Sequence, residues 1–245
     1  IIIYDTLFWG LKTVSEYPNL ETLKTEDEKK YNLWVEFVKK NFGEHNITDV
    51  NYHTYAPLYG EFSKIISIGY ATIEINNNKI NRKFKIISEN NEKETINKFL
   101  DVFSYYESIG NSTNPKFEFT MCGYDIVNYD IPVFIKRFLK YFIDEENKRI
   151  PNILKNYLTS KPWNSNIINI KTLYNMNSSL PFMNFDIMVN NMQLKQAENL
   201  INTSDISKYY WENIERDHKT TIKNINYSLG NLINTNMQFM NKFRF

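Results

Sequence analysis

Apolar positions along this chain recur with two periods, and the alternation between them predicts the order of elements. "IIIY" at residues 1–4 is a continuous β-branched run of the kind that suits a strand covered on both faces, with Asp5 at its end. "SKIISIGYATIEI" and "RKFKIIS" flank "NNNKIN" and read as an antiparallel hairpin, and "KFEFTMCG" reads as a further strand. Between the first strand and the hairpin, Tyr31, Trp34, Phe37, Val38 and Phe42 fall on one helical face. Thr25 and Glu28 stand at capping-box spacing before that face and Gly43 follows as a stop, which predicts a helix of about four turns. Ile96, Phe99, Leu100 and Phe103 repeat the helical spacing up to Gly110, and the C-terminal half reads as helices from "IPVFIKRFLKYFIDEENKR" to "KTTIKNINYSLGNLINTNMQFMNKF".

Strand, helical insert, hairpin, helix, strand and then helices predict an α/β protein, a mixed sheet with helices packed on it. Neither an internal repeat nor a Gly/Ser linker divides the chain, so residues 1–245 read as one domain with 17–56 as an inserted helical segment. Hydrophobic residues make up 42% of the 245, enough for a sizeable core. With 29 basic and 28 acidic residues there is no global field to attract nucleic acid, so any such binding must come from a local patch. No apolar run reaches the roughly 18 residues of a membrane span, and no signal-peptide pattern is read. The single Cys122 permits no internal disulfide and lies in an apolar strand, which reads as a core thiol in a reducing, cytoplasmic setting. His45, His53 and His218 have no metal-ligand spacing, and Glu61, before the second strand, reads as a solvated or capping group.

The most informative stretch is "CGYDIVNYDIPVFIKRF". A strand ends at Gly123, a polar turn holds Asp125 and Asn128, and Asp130 stands just before Ile131-Pro132, which opens an amphipathic helix. Taken alone, Asp130 is a helix N-cap, because the free N–H groups and the dipole there favour an anion. Downstream, Lys136, Arg137 and Lys140 share part of a helix face, either solvated or offering charge to phosphates, and Trp163 and Tyr157 are aromatic candidates for base stacking or for core packing.

In order and spacing, these motifs resemble the DEDD superfamily of 3′-5′ exonucleases, of the ribonuclease H-like fold, nearest the predicted exonucleases related to the proofreading domain of family B DNA polymerases. The resemblance covers nearly the whole chain. It is carried by "IIIYDTL" where the family has a strand ending Asp-x-Glu, by "YGEFSKIISIGYAT", and by "CGYDIVNYDIPVFIKRFL" where the family has Gly-His-Asn and then Phe-Asp-x-Pro. "KPWNSNIINI", "TSDISKYYWEN" and "YSLGNLINT", the last like Tyr-Cys-x-x-Asp-Val-x-x-Thr, continue it.

The family holds two divalent metals on four acids, with a tyrosine on the last helix positioning the attacking water. One ion generates hydroxide, the other stabilises the leaving 3′ oxygen, and both need hard carboxylate ligands. The resemblance assigns Asp5 as the first acid, Asp130 as the third and Tyr227 as the tyrosine. It puts Leu7 where the glutamate should be and Asn231 in place of the last aspartate, while Tyr124-Asp125 replaces His-Asn and Asn169 replaces a further aspartate. A leucine cannot ligate a hard cation, and an amide contributes far less field than a carboxylate.

The resemblance therefore implies an exonuclease fold with a degraded two-metal site, needing no cofactor. Its implied role is nucleic-acid binding, with single-stranded nucleic acid as partner, or scaffolding among other proteins of a larger assembly. The alternative is an active enzyme in which Asp125 joins Asp5 and Asp130 as a rearranged ligand for Mg²⁺ or Mn²⁺. The abundance of Asn, Lys, Ile, Tyr and Phe tracks AT-rich codons, and with this kind of relative it predicts a phage or bacterial source and a place in the cytoplasm or the virion.

Overall fold

The computed structural model describes residues 6–76, 79–112, 120–159, 166–175 and 185–243. Strand β1 (Thr6–Ser15) is followed by helices α1 (Leu20–Glu26), α2 (Glu28–Phe42) and α3 (Asp49–Tyr55), then by the hairpin strands β2 (Ser63–Asn76) and β3 (Lys79–Ile87). Helix α4 (Glu92–Ser112), β4 (Thr120–Gly123), α5 (Ile131–Phe142), α6 (Asn152–Thr159) and β5 (Ile167–Asn169) come next. Helices α7 (Ile170–Tyr174), α8 (Phe185–Asn191), α9 (Ile206–Asn213) and α10 (His218–Phe243) complete the order.

The five strands form one mixed sheet in the order β3-β2-β1-β4-β5. β1 is antiparallel to β2, β2 to β3, and β1–β4 and β4–β5 are parallel. The protein is α/β, with helices on both faces of this sheet. Alternation along β1 separates the two layers. Leu7, Trp9 and Leu11 enter the core made with Phe99 and Phe103 of α4 and Phe134 and Phe138 of α5. Phe8 turns the other way, into the core made with Met188, Leu229, Ile233 and Phe239. Gly69, the cross-strand partner of Gly10, lets α10 lie close on that second face: a Cβ on Gly69 would sit 2.6 Å from Ile233 Cδ1 and 3.0 Å from Leu229 Cγ.

Three sequence expectations change here. The first strand runs from Thr6 to Ser15, through "LKTVS", well past Asp5, where the apolar run predicts its end; Lys12, Thr13 and Ser15 are polar yet buried. Helix α2 is capped by Asp27, whose carboxylate accepts from Lys30 N at 2.9 Å, and Thr25 belongs to the preceding helix α1. Gly43 ends α2 at φ +90°, a conformation that favours glycine. β5 interrupts the helices of the C-terminal half. The inserted segment builds a core of Leu23, Trp34, Val38, Tyr52 and Ala56, completed by Phe62 just before β2.

A buried charge network fastens that insert to the sheet layer. Arg137, 1% exposed, meets Glu92 side-on, with Nε donating to Oε1 at 2.8 Å and Nη2 to Oε2, and also reaches Glu16 at 3.3 Å. Tyr141 donates to Glu92, while Lys30 and Lys140 pair with Glu16. Burial alone would raise the Glu16 carboxyl, but the Arg137 charge and the hydrogen bonds from Lys140 and Lys30 outweigh it and hold it down at about 2.

Candidate functional site

The site grows out of a mismatch in strand length. β4 ends at Gly123, its pairing with β1 reaching Phe8↔Cys122, whereas β1 continues to Ser15. Beyond Phe8, β1 has backbone donors on that edge with no strand opposite, and buried donors must find partners. A turn of π-helix, Ile126–Asp130, supplies them on its way into α5. Asp130 Oδ1 accepts from Leu11 N at 3.0 Å, and Tyr129 hydrogen-bonds Thr13 Oγ1 and donates to the Pro57 carbonyl at 3.1 Å. Asp130 is itself helical (φ −60°, ψ −49°) and makes no capping bond. Its carboxylate joins α5 to the central strand instead.

Gly10 faces that carboxylate. A Cβ there would lie 3.7 Å from Asp130 Oδ1, with Leu232 Cδ2 of α10 at 3.6 Å and Leu229 Cδ1 at 3.9 Å on its other sides. Lys12, two residues on, shares Gly10's face by strand alternation and is 7% exposed. Within 4 Å it makes no ion pair among the described residues, and Asp130 acts on it from beyond that distance. Burial lowers the Lys12 ammonium to about 8, against the opposing pull of Asp130. Burial likewise raises the Asp130 carboxyl to about 7; the Leu11 N–H and Lys12 oppose that rise and the Asp125 charge adds to it. Both groups are pushed toward neutrality by loss of water.

The other sequence-derived residues surround this pair unevenly. Asp125 approaches from the turn, but Lys171 pairs with its Oδ2 at 2.7 Å and Asn128 donates to its Oδ1 at 2.8 Å. Asn169, at the end of β5 opposite Gly123, donates to Thr172 Oγ1 at 2.9 Å, and its Oδ1 is buried without a hydrogen-bond partner. Asn231 Oδ1 accepts from Ala197 N at 2.9 Å, so its amide is turned to the segment before α9 rather than to Asp130. Tyr227, on the same helix, is 55% exposed. Asp5 and Trp163 lie outside the described residues.

Two placements overturn expectations. Leu7, assigned to the metal site, is fully enclosed on the opposite face of β1, among the α4 and α5 side chains, and cannot face Asn231 or Asp130. Arg137, assigned to nucleic acid, is locked between Glu92 and Glu16 and has no surface to offer. Of its neighbours, Lys140 joins the same network and Lys136 pairs with Glu61 at 2.7 Å on the surface. Conversely, Gly10 and Lys12 escaped the sequence reading. The signal for them is the period-2 run "LFWGLKTVS", which carries the strand past Asp5 and turns residues 8, 10 and 12 to one side.

The residues around Asp130 do not suit a divalent ion. One carboxylate is spent on a backbone N–H, another on a lysine, and a buried ammonium stands beside them. No group of three or more His, Cys, Asp or Glu suited to a metal occurs among the described residues. A Ser–His cluster elsewhere also lacks a reactive hydroxyl. His53 Nδ1 lies 3.1 Å from both Ser15 Oγ and Ser207 Oγ, but the two serines are wholly buried and tie β1 to α3 and α9. Compared with known proteins, the chain matches no family model, no curated protein and no solved structure.

Proposed function

We propose that this protein is an exonuclease-like domain of the ribonuclease H-like type whose two-metal site has been replaced by an internal cation, leaving a nucleic-acid-binding or scaffolding module. The mixed sheet with helices on both faces is the architecture that the sequence resemblance implies. The observation that carries the reading is the Gly10–Lys12 pair. A strand that presents Asp-x-Glu to a metal does so from positions i and i+2 on the face turned to the third acid. On β1 those positions, opposite Asp130, are Gly10 and Lys12, and Leu7 is on the other face. Thr6 lies four residues from Gly10, about 13 Å along the strand, so the Thr6 end of β1 is remote from Asp130.

In this register both acids of the first motif are gone, one to a residue with no side chain and one to a residue of opposite charge. Lys12 supplies one positive charge where two metals would supply four. It offsets part of the Asp130 field but provides no Lewis acid and no ionised water. The active alternative, with Asp125 as substitute ligand, would have to break the Lys171 pair and expel Lys12.

Incubation of the protein with 5′-labelled single-stranded DNA in Mg²⁺ or Mn²⁺ tests the reading. The expected result is intact substrate at enzyme excess. Stepwise 3′ shortening that disappears in Asp130→Ala would overturn it in favour of a rearranged active site.

A further inference from the structure

The net total hides a charge asymmetry between two elements and the rest of the chain. Residues 75–88, edge strand β3 with its flanks, hold four basic residues and no acid, and α10, 26 residues long, holds three lysines and no acid. Outside these two neighbouring elements 22 basic residues stand against all 28 acids, so the two elements carry a basic excess in an otherwise acidic sequence. Among the outward residues of α10, Lys219, Lys223, Tyr227 and Asn234, with the half-buried Gly230 between the last two, are spaced by three or four and therefore in one row. The row is about 22 Å long at 1.5 Å per residue. It lies away from the Leu229–Leu232 side that covers Gly10, so it is separate from the Asp130 site.

Two exposed aromatic rings sit in this row. Phe84 of β3, 46% exposed, lies across Gly230, where a Cβ would be 3.2 Å from its Cζ; the glycine gives the ring a flat seat on the helix. Tyr227, 55% exposed, is one turn away, with Cβ positions at that spacing about 5–6 Å apart. Lys223 is one turn from Tyr227 on the same face, whereas Lys83 and Lys85, beside Phe84 in the sequence, turn by strand alternation to the α4 side of the sheet; Glu198 follows the Asn231-bound Ala197. Lysines on an edge strand also deter strand pairing, but that role does not call for two large rings beside them. Two exposed rings in line with Lys219 and Lys223 match the stacking faces and phosphates of an unpaired strand.

We propose that this outer face of α10, with Phe84 laid across Gly230, binds single-stranded nucleic acid. The inference deepens the nucleic-acid arm of the function proposed above and places the contact outside the residues that the sequence suggested. The test is fluorescence anisotropy of labelled (dT)₂₀, (U)₂₀ and a 20-base-pair duplex against the full chain across a salt series. Tyr227→Ala and Phe84→Ala are each expected to weaken single-strand binding about tenfold, within the range for loss of one stacked base. Lys223→Ala is expected to reduce the salt slope by about 0.7. Lys136→Ala, on another surface, is expected to change neither. Thermal melts establish that each variant is folded, and Tyr227→Ala, at an exposed position, decides the matter if Phe84→Ala is not. Binding that ignores all the row variants would overturn the location and leave the proposed function standing. Duplex bound as tightly as single strands would overturn the stacking assignment. Absence of binding by the parent protein would overturn both this inference and the nucleic-acid arm it rests on. The (dT)₂₀ and (U)₂₀ arms separate DNA from RNA.

Discussion

The Asp130 carboxylate and the Lys12 ammonium are both more than nine-tenths buried on one side of the central strand, yet they do not form an ion pair within 4 Å. Such an arrangement is expensive for a fold to keep, because each charge has lost water without gaining a contact partner.

Replacing Lys12 by methionine, which keeps the apolar stem and removes the charge, is expected to stabilise the protein. Lowering a buried lysine from its ordinary value to about 8 corresponds to roughly 3 kcal/mol at neutral pH, of which part returns as a higher Asp130 pKa. Urea denaturation should show a higher midpoint for Lys12→Met, with an unchanged slope. A lower midpoint would mean that Lys12 holds the site together.

The same shifts set the pH dependence. The Asp130 carboxyl is raised from 3.8 to about 7, so the folded state holds the extra proton between those values and this group makes stability fall as pH rises through them. Lys12 is lowered to about 8, so above that pH the folded state holds fewer protons and stability rises toward 10.5. Glu16 acts at the acid end: its depressed value means that its contribution is lost as pH falls from 4.5 to about 2. Melting curves of Asp130→Asn should lose the decline between pH 4 and 7, and those of Glu16→Gln should lose part of the acid limb. Parallel profiles for parent and variants would refute these assignments.

Breaking the buried network should be far more costly than trimming the surface. Arg137→Met leaves Glu92 enclosed and unpaired, and is expected to destabilise by about 3–5 kcal/mol. Lys136→Ala removes a half-exposed pair with Glu61 and should change stability by less than about 1 kcal/mol. Equal effects in urea titrations would show that the network is not carrying the insert.

Much of the fold was legible in the sequence because its helices and hairpin have clean periods: Trp34 and Val38 are buried on the predicted face of α2, and Ile96, Phe99, Leu100 and Phe103 on that of α4. The register of the first strand was not. "IIIY" is the more apolar run, and a lysine at position 12 argues against a buried strand unless tertiary packing overrides it. Arg137 looked like surface charge for a similar reason: its partners Glu16 and Glu92 are 121 and 45 residues away, and nothing local announces them. The Asp130 contact to Leu11 spans 119 residues and becomes visible only once β4 is seen to stop short of the end of β1.

The two registers also predict different consequences at Leu7. Leu7→Glu buries an unpaired carboxylate among Trp9, Phe99 and Phe103 and is expected to unfold the protein or destabilise it by more than about 3 kcal/mol, with no rescue by Mn²⁺. Rescue by the metal would restore the register that places Leu7 beside Asp130.

The central claim is that Gly10 and Lys12 occupy the face where metal-binding acids would stand. Gly10 accepts a Cβ without a clash, the nearest heavy atom to that position being 3.6 Å away. The decisive measurement is the melting temperature of Gly10→Asp/Lys12→Glu with and without millimolar Mn²⁺, beside the parent protein. Without metal, the clustered carboxylates should lower the melting temperature by mutual repulsion. With metal, the double variant should recover several degrees, since a ligand at about 100 times its dissociation constant adds about 2.7 kcal/mol, while the parent does not move. A parent that Mn²⁺ stabilises as much as the variant, or a variant that Mn²⁺ leaves unchanged, would contradict the account.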